Sequence, residues 1–478
     1  VAVIKSNTKF IDGSNTESST PLIVPKQQTP PHGAVLSSLS AASLSLLNAT
    51  ALPALAQEQL VENNQINQAQ FGAGKVGADS DIKIDTAFLY YQELDKVTAA
   101  EGIFYIEKIQ GDKRSYSGKL VLDTLTGASA NGAVPQEAAQ TFTRPSGNGE
   151  YTIAAGAEPL DDTFKDTRLQ LSGNWTEIWS PTWTSVNGLY FSKEFDYTSI
   201  GANTGLERSF NKNNTQVSLS AAYYYDVVKP VGNRPVPLSK MQFRRDFETE
   251  EAFREQFDST RQTGSADKQT FDLSLGFTQT LTRFSLLQLN LNWSTISGYM
   301  TDPYKLLSVI DEQGTSQSYL YESRPEDRTK QSIFLLSKHA LVTGVADISY
   351  RLSQDSWGVS SHTLESHYRY NFSPTMFGQV HFRYYQQQAA DFYTRYLNES
   401  ELLPQYASAD YRLGNLKAYT FGIKFGHQIS DTGLATYRLE YYQQNPFDND
   451  QAATGQLSAH DLYPSTKAVF FQIGFSFL

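Results

Sequence analysis

The chain has 478 residues, 40% hydrophobic and 13% aromatic, with a formal charge of -11 from 39 basic and 50 acidic side chains. It contains no cysteine, which excludes disulfides, thiolate metal sites, cysteine nucleophiles and a lipidated-cysteine anchor. No basic tract points to nucleic acid, and no mature apolar run reaches the roughly 20 residues that a membrane-spanning helix needs.

Residues 33–56 are rich in Ala, Leu and Ser, follow Lys5, Lys9 and Lys26, and end Ala54-Leu55-Ala56 before Gln57. This is the pattern of an export signal, and residues 1–56 are read as that region. Residues 57–80, rich in Gln, Asn and Gly, read as a flexible periplasmic arm. Strand-like segments then follow at 82–94, 102–110, 114–125, 167–179, 184–195, 197–210, 215–228 and 268–281. They continue at 283–298, 329–341, 344–355, 358–373, 376–393, 409–429, 433–445 and 467–478. The count is sixteen, even as single-chain bacterial barrels require; the weaker early segments leave 14 or 18 open.

Within these segments the hydropathy alternates. Leu287, Leu289, Leu291 and Trp293 oppose Gln288, Asn290, Asn292 and Ser294. Phe271, Leu273, Leu275 and Phe277 oppose Asp272, Ser274, Gly276 and Thr278, and Val469, Phe471, Ile473, Phe475 and Phe477 oppose Gln472, Gly474 and Ser476. Period two puts each set on one face, but a soluble sandwich would show the same pattern. Connection lengths separate the two. With the N-terminus periplasmic, the long connections 126–166, 229–267, 299–328, 394–408 and 446–466 all fall on the extracellular side, and the intervening ones are short. That polarity predicts an all-β fold over residues 81–478: a transmembrane antiparallel β-barrel of about 16 strands with long extracellular loops. Closure is enforced because a strand in lipid cannot leave edge amides unpaired. Trp175, Trp179, Trp183, Trp293, Tyr190, Tyr370, Tyr384 and Tyr441 are candidates for the interfacial girdles.

The polar faces carry Lys83, Asp85, Arg168, Asp272, Glu365, Arg369, Arg383, Lys424, Arg438 and Glu440, whose mixed signs fit cross-strand ladders in a lumen without strong ion preference. Asp161, Asp162 and Asp166 are oxygen donors at close spacing, yet they lack the positions of a calcium loop, and a solvated turn is the plainer reading. Residues 244–255 fit a short extracellular helix with a charged solvent face, or a constriction folded into the lumen. His362 and His367 differ by five positions and so face opposite ways; Glu365 and His367 share a face, which His381 and Arg383 can join from the next strand. No Ser/His/Asp arrangement stands out, so neither an enzyme nor a cofactor is expected.

Several segments are familiar. They are DIKIDTAFLYYQELDKV from Asp81, SGKLVLDTLTGASANGA from Ser117, GAEPLDDTFKDT from Gly156, GYMTDPYKLLSVID from Gly298, YLYESRPEDRTKQS from Tyr319, SADYRLG from Ser408 and LYPSTKAVFFQ from Leu462. Together they resemble the exported family catalogued as domain of unknown function 3570, over about residues 81–478. The resemblance implies an outer-membrane barrel and no particular biochemical activity. Its motif positions include Asp123, Asp161, Asp162, Asp302, Lys305, Arg324, Arg328, Asp410 and Arg412, several beside the expected extracellular rim.

The expected location is the bacterial outer membrane, with its lipid, lipopolysaccharide and barrel-assembly machinery as partners, a periplasmic protein as a further candidate, and no nucleic acid. The working function is a channel or export conduit for a small polar solute or product, selected by loops and lumen charge. The alternatives are an occluded structural or ligand-binding surface barrel, and an export component acting with a periplasmic partner.

Overall fold

The computed structural model describes residues 82–94, 96–447 and 451–478, with the backbone alone for 162–164. The export-signal region 1–56, the arm 57–80 and the side chain of Asp162 lie outside the described residues. Sixteen antiparallel strands close into one barrel. They are β1 (Ile82–Glu93), β2 (Val97–Gln110), β3 (Arg114–Ala130), β4 (Leu160–Ser180), β5 (Trp183–Lys193), β6 (Tyr197–Phe210), β7 (Thr215–Val228) and β8 (Ala266–Thr282). The second half is β9 (Ser285–Gly298), β10 (Asp327–Leu341), β11 (Gly344–Asp355), β12 (Ser360–Ser373), β13 (Met376–Gln387), β14 (Leu416–Gln428), β15 (Gly433–Pro446) and β16 (Thr466–Phe477). Each strand pairs with its sequence neighbour, and β1 pairs with β16 from Ile84↔Phe477 to Glu93↔Ala468, so the barrel has no free edge.

The apolar residues of each strand face outward. Leu291 and Trp293 are 40% and 38% exposed, while their neighbours Asn290 and Ser294 are buried. Leu171, Leu189, Ile200, Leu273, Ile333, Phe382 and Phe471 are likewise exposed, whereas Arg168, Asp272, Arg383 and Glu440 are buried. A sandwich would hide the first set. This inverted arrangement is stable only with hydrocarbon against the wall, so the sheet is a transmembrane barrel. Among the described residues no helix is long and apolar enough to cross a membrane.

All five long connections, 131–159, 229–265, 299–326, 388–415 and 447–465, leave from one end, and the connections at the other end are short. Several boundaries differ from those predicted. β3 and β4 run further than their hydropathy shows, so Asp161 and Asp166 belong to a strand and not to a turn. β13 stops at Gln387 and β14 starts at Leu416, which moves Asp410 and Arg412 into a loop. In 229–265 a helix, α1 (Glu250–Ser259), is capped by Thr249, whose hydroxyl accepts from the Ala252 amide; Phe253 and Phe257 are buried beneath it. Trp175, Trp179, Trp293, Tyr370 and Tyr441 stand on the outer face. Tyr190 does not: it turns inward and meets Tyr224 edge-to-face, because its strand parity is that of buried Val186 and Ser192.

Candidate functional site

Two charged assemblies stand out, one in the extracellular loops and one on the inner wall. The long loops fold on each other into a cap. Leu306–Ile310 pairs with Ser316–Tyr321 and, in parallel, with Leu397–Asn398. A hairpin of Gln140–Thr143 and Glu150–Ile153 lies beside this sheet, and Phe142, Met241, Phe243, Leu306, Tyr319 and Tyr321 form a shared apolar cluster. Loops from distant strands are bonded directly. The Leu306 amide donates to the Asn131 carbonyl at 2.7 Å, and Arg395 donates to the carbonyls of Gly132, Ala133 and Leu462. The connections carrying Leu306 and Asn131 lie six strands apart on the sixteen-strand ring, so the cap bridges the mouth.

Buried ion pairs pin this cap. Glu322, fully buried, accepts from the Asp302 amide at 2.6 Å, from the Ser408 hydroxyl at 2.5 Å and from Arg324 at 3.1 Å. Arg324 also donates to Asp410 at 2.8 Å; Arg412 donates to Asp410 at 2.8 Å and to Asp302 at 2.9 Å. Burial opposes ionisation of Asp410, but the guanidiniums of Arg412 and Arg324 outweigh it and hold the carboxyl well below the usual range. Burial likewise works against Asp302, which Lys305, Arg412 and Arg324 keep low. Glu322 is pushed up by burial, against the pull of Arg324. The buried Lys305 ammonium, lowered by burial, donates to the Ser129 hydroxyl and the Ala130 carbonyl at the end of β3. Charge-assisted bonds of this kind join segments far apart in sequence and fix their geometry.

On the inner wall, Asp347, His367, His381, Gly422 and Glu440 are successive register partners across β11 to β15. His367 Nδ1 lies 2.9 Å from Asp347 Oδ1. His381 Nδ1 lies 3.0 Å from Glu440 Oε1, and its Nε2 lies 2.7 Å from Glu365 Oε1. The two imidazoles stack with centroids 4.4 Å apart. Gly422 makes the Glu440 contact possible: a Cβ there would stand 2.7 Å from the Glu440 carboxylate.

Of the predicted residues, Asp302, Arg324, Asp410 and Arg412 meet in the cap, with Lys305 beside them. Arg328 stands apart, paired with Asp355 and stacked over Trp357 at 4.2 Å. Glu365 joins the wall row; Arg383 is its register partner, and Arg438 lies 3.7 Å from Glu440. Arg369 sits lower, over the Phe377 ring at 3.8 Å. Asp161 and Asp166 on β4 pair with Ser129 and Leu125 across an intervening register shift, which puts both on one face; burial and Asp166 push the carboxyl of Glu194, in the β5–β6 turn, up to about 8. His362 faces outward, where its Nδ1 meets the Tyr350 hydroxyl at 2.6 Å. Sequence reasoning missed Glu322, Ser408, Asp347 and Gly422. Glu322 and Ser408 lie inside recognised segments; Asp347 and Gly422 become visible only once the strand register is known.

Residues 36–477 match the model of the family described as "Protein of unknown function (DUF3570)". No functionally curated protein matches the chain. Among solved structures, the chain is similar to the outer membrane protein OpdK from Pseudomonas aeruginosa, at 9% identity and a TM-score of 0.36 over 84% of this chain and 99% of that one. The monoaromatic hydrocarbon channel CymD gives 8% and 0.36 over 84% and 89%, and OccK3 (OpdO) of Pseudomonas aeruginosa gives 8% and 0.37 over 84% and 95%.

Proposed function

The chain belongs to the DUF3570 family, and we propose that it works in a bacterial outer membrane as a gated conduit for small polar solutes. The observation that carries this reading is the bridged cap over a wall lined by charges of both signs. A polar lumen offers hydrated solutes a path, and a cap held by ion pairs is an element that opens without unfolding the barrel. Passage needs no chemical step, so the protein is not an enzyme in this reading. The measurement is single-channel conductance of the refolded barrel in planar bilayers. Open steps that become more frequent when Arg324→Ala loosens the cap support the conduit. A correctly folded barrel that is silent in both forms overturns it.

A second reading is a surface barrel that presents its cap to a ligand or partner. The apolar clusters within the loops favour it, because a presentation surface must be rigid. A silent barrel whose isolated outer face still captures an extracellular polymer would establish that role.

A further inference from the structure

The row on the inner wall is built as a metal site, and this inference does not rest on passage. We propose that Glu365, His367 and His381 bind one divalent transition-metal ion of the zinc type through two imidazoles and a carboxylate. One ligand atom from each of the three lies within 4.8 Å of the others, and both histidines are buried. Among the described residues no other group of carboxylates and imidazoles is this close. Two imidazoles and one carboxylate form a common facial set for zinc and neighbouring ions.

The outer partners give the row its direction. Asp347 holds Nδ1 of His367 from one end, and Glu440 holds Nδ1 of His381 from the other. Nε2 of His381 is thereby left facing Glu365, 2.7 Å from Oε1, and Nε2 is the nitrogen that His367 would offer. A ligating imidazole backed by a carboxylate on its second nitrogen is the recurrent support of bound metals. Two features show that this support is constructed. Gly422, between His381 and Glu440 in the ladder, leaves open the space that Glu440 crosses. The second oxygen of the Glu440 carboxylate, on a residue 2% exposed, is buried without a hydrogen-bond partner.

Without metal, His381 lies between two carboxylates, with Nε2 against Glu365 and Nδ1 against Glu440. Binding inserts the ion between Nε2 and the Glu365 carboxylate.

The test uses the untagged mature chain in detergent micelles, titrated calorimetrically with Zn2+ alone and with Ni2+ alone. The expected result is one ion per barrel. His367→Ala and His381→Ala abolish binding. Asp347→Asn and Glu440→Gln, at the carboxylates that hold the ring nitrogens, weaken it by about 10- to 100-fold. Heat-modifiable gel mobility reports folding of each variant; where a histidine variant fails to fold, Glu365→Gln, which keeps the side-chain size, takes its place. No binding by the parent chain, or equal binding by a folded Glu365→Gln or histidine variant, overturns the site. Conductance is measured on the same samples, so a silent barrel that binds zinc leaves this inference standing while the conduit falls.

Discussion

The cap and the wall row are both buried charge clusters, but they are made from different bases. The cap uses Arg324 and Arg412 against Asp302, Glu322 and Asp410. The row uses His367 and His381 against Asp347, Glu365 and Glu440. A guanidinium stays protonated at any physiological pH and forks across two oxygens, so it clamps. An imidazole offers a ring nitrogen whose lone pair a metal ion can take up. One fold thus keeps a guanidinium fastener among its long loops and an imidazole row in its wall.

The strongest way to break this contrast is to remove one clamp. Arg324→Ala leaves Glu322 and Asp410 buried with fewer cations, which costs about 3–5 kcal/mol. The expected outcome is cleavage by added protease within 299–326 and 388–415, while the barrel keeps its folded gel mobility; an intact cap would deny the network its fastening role. On the wall, a charge facing lipid separates fold from clusters. Leu291→Arg should lower folding stability in bilayers by about 2–4 kcal/mol, whereas Gln288→Ala on the inner side of the same strand should cost much less. Equal costs would contradict the inside-out assignment. Gly422→Ala sharpens the contrast at smaller cost. Its methyl collides with Glu440, for about 1–3 kcal/mol of overpacking seen as a lower unfolding temperature. Thr249→Ala, removing the cap of α1, should cost about 1 kcal/mol and show as faster amide exchange in that helix alone.

Acid tests the clamp without mutation. Asp302 and Asp410 lie below their free-chain value, so their stabilisation is complete above about pH 4 and is lost as pH falls through their folded values. Glu322 is displaced upward and works the other way, since protonating it on acidification relieves a burial cost. The cap is therefore expected to resist proteolysis through mild acid and to yield only well below about pH 4. Opening in mild acid, well above about pH 4, would overturn the assignment of the cap's acid resistance to these aspartates.

Much of the barrel was legible because lipid forces a simple pattern. The alternation at 271–277 and 287–293 is written residue by residue, since each outward position must be apolar along the whole strand. Strand ends were less legible. Asp161 and Asp166 read as turn residues because β4 continues past the lipid-facing zone, where outward positions no longer have to be apolar. Asp410 and Arg412 were recognised as motif positions, but their pairing with Asp302 and Arg324 spans up to 110 residues and depends on loops meeting over the mouth. The wall row was half visible: Glu365 and His367 share a face by spacing, and His381 was placed beside them. Its two ends were not, because Asp347 needs the β11–β12 register and Glu440 needs the space left by Gly422.

The bonds that run from Asn131 to Leu306 and from Arg395 to Gly132 act as spokes across a hoop. Among the described residues, the opposite rim is closed by tight turns such as 342–343 and 374–375. A bilayer that squeezes the wall is therefore expected to distort the ring more at its unspoked end than at the capped mouth.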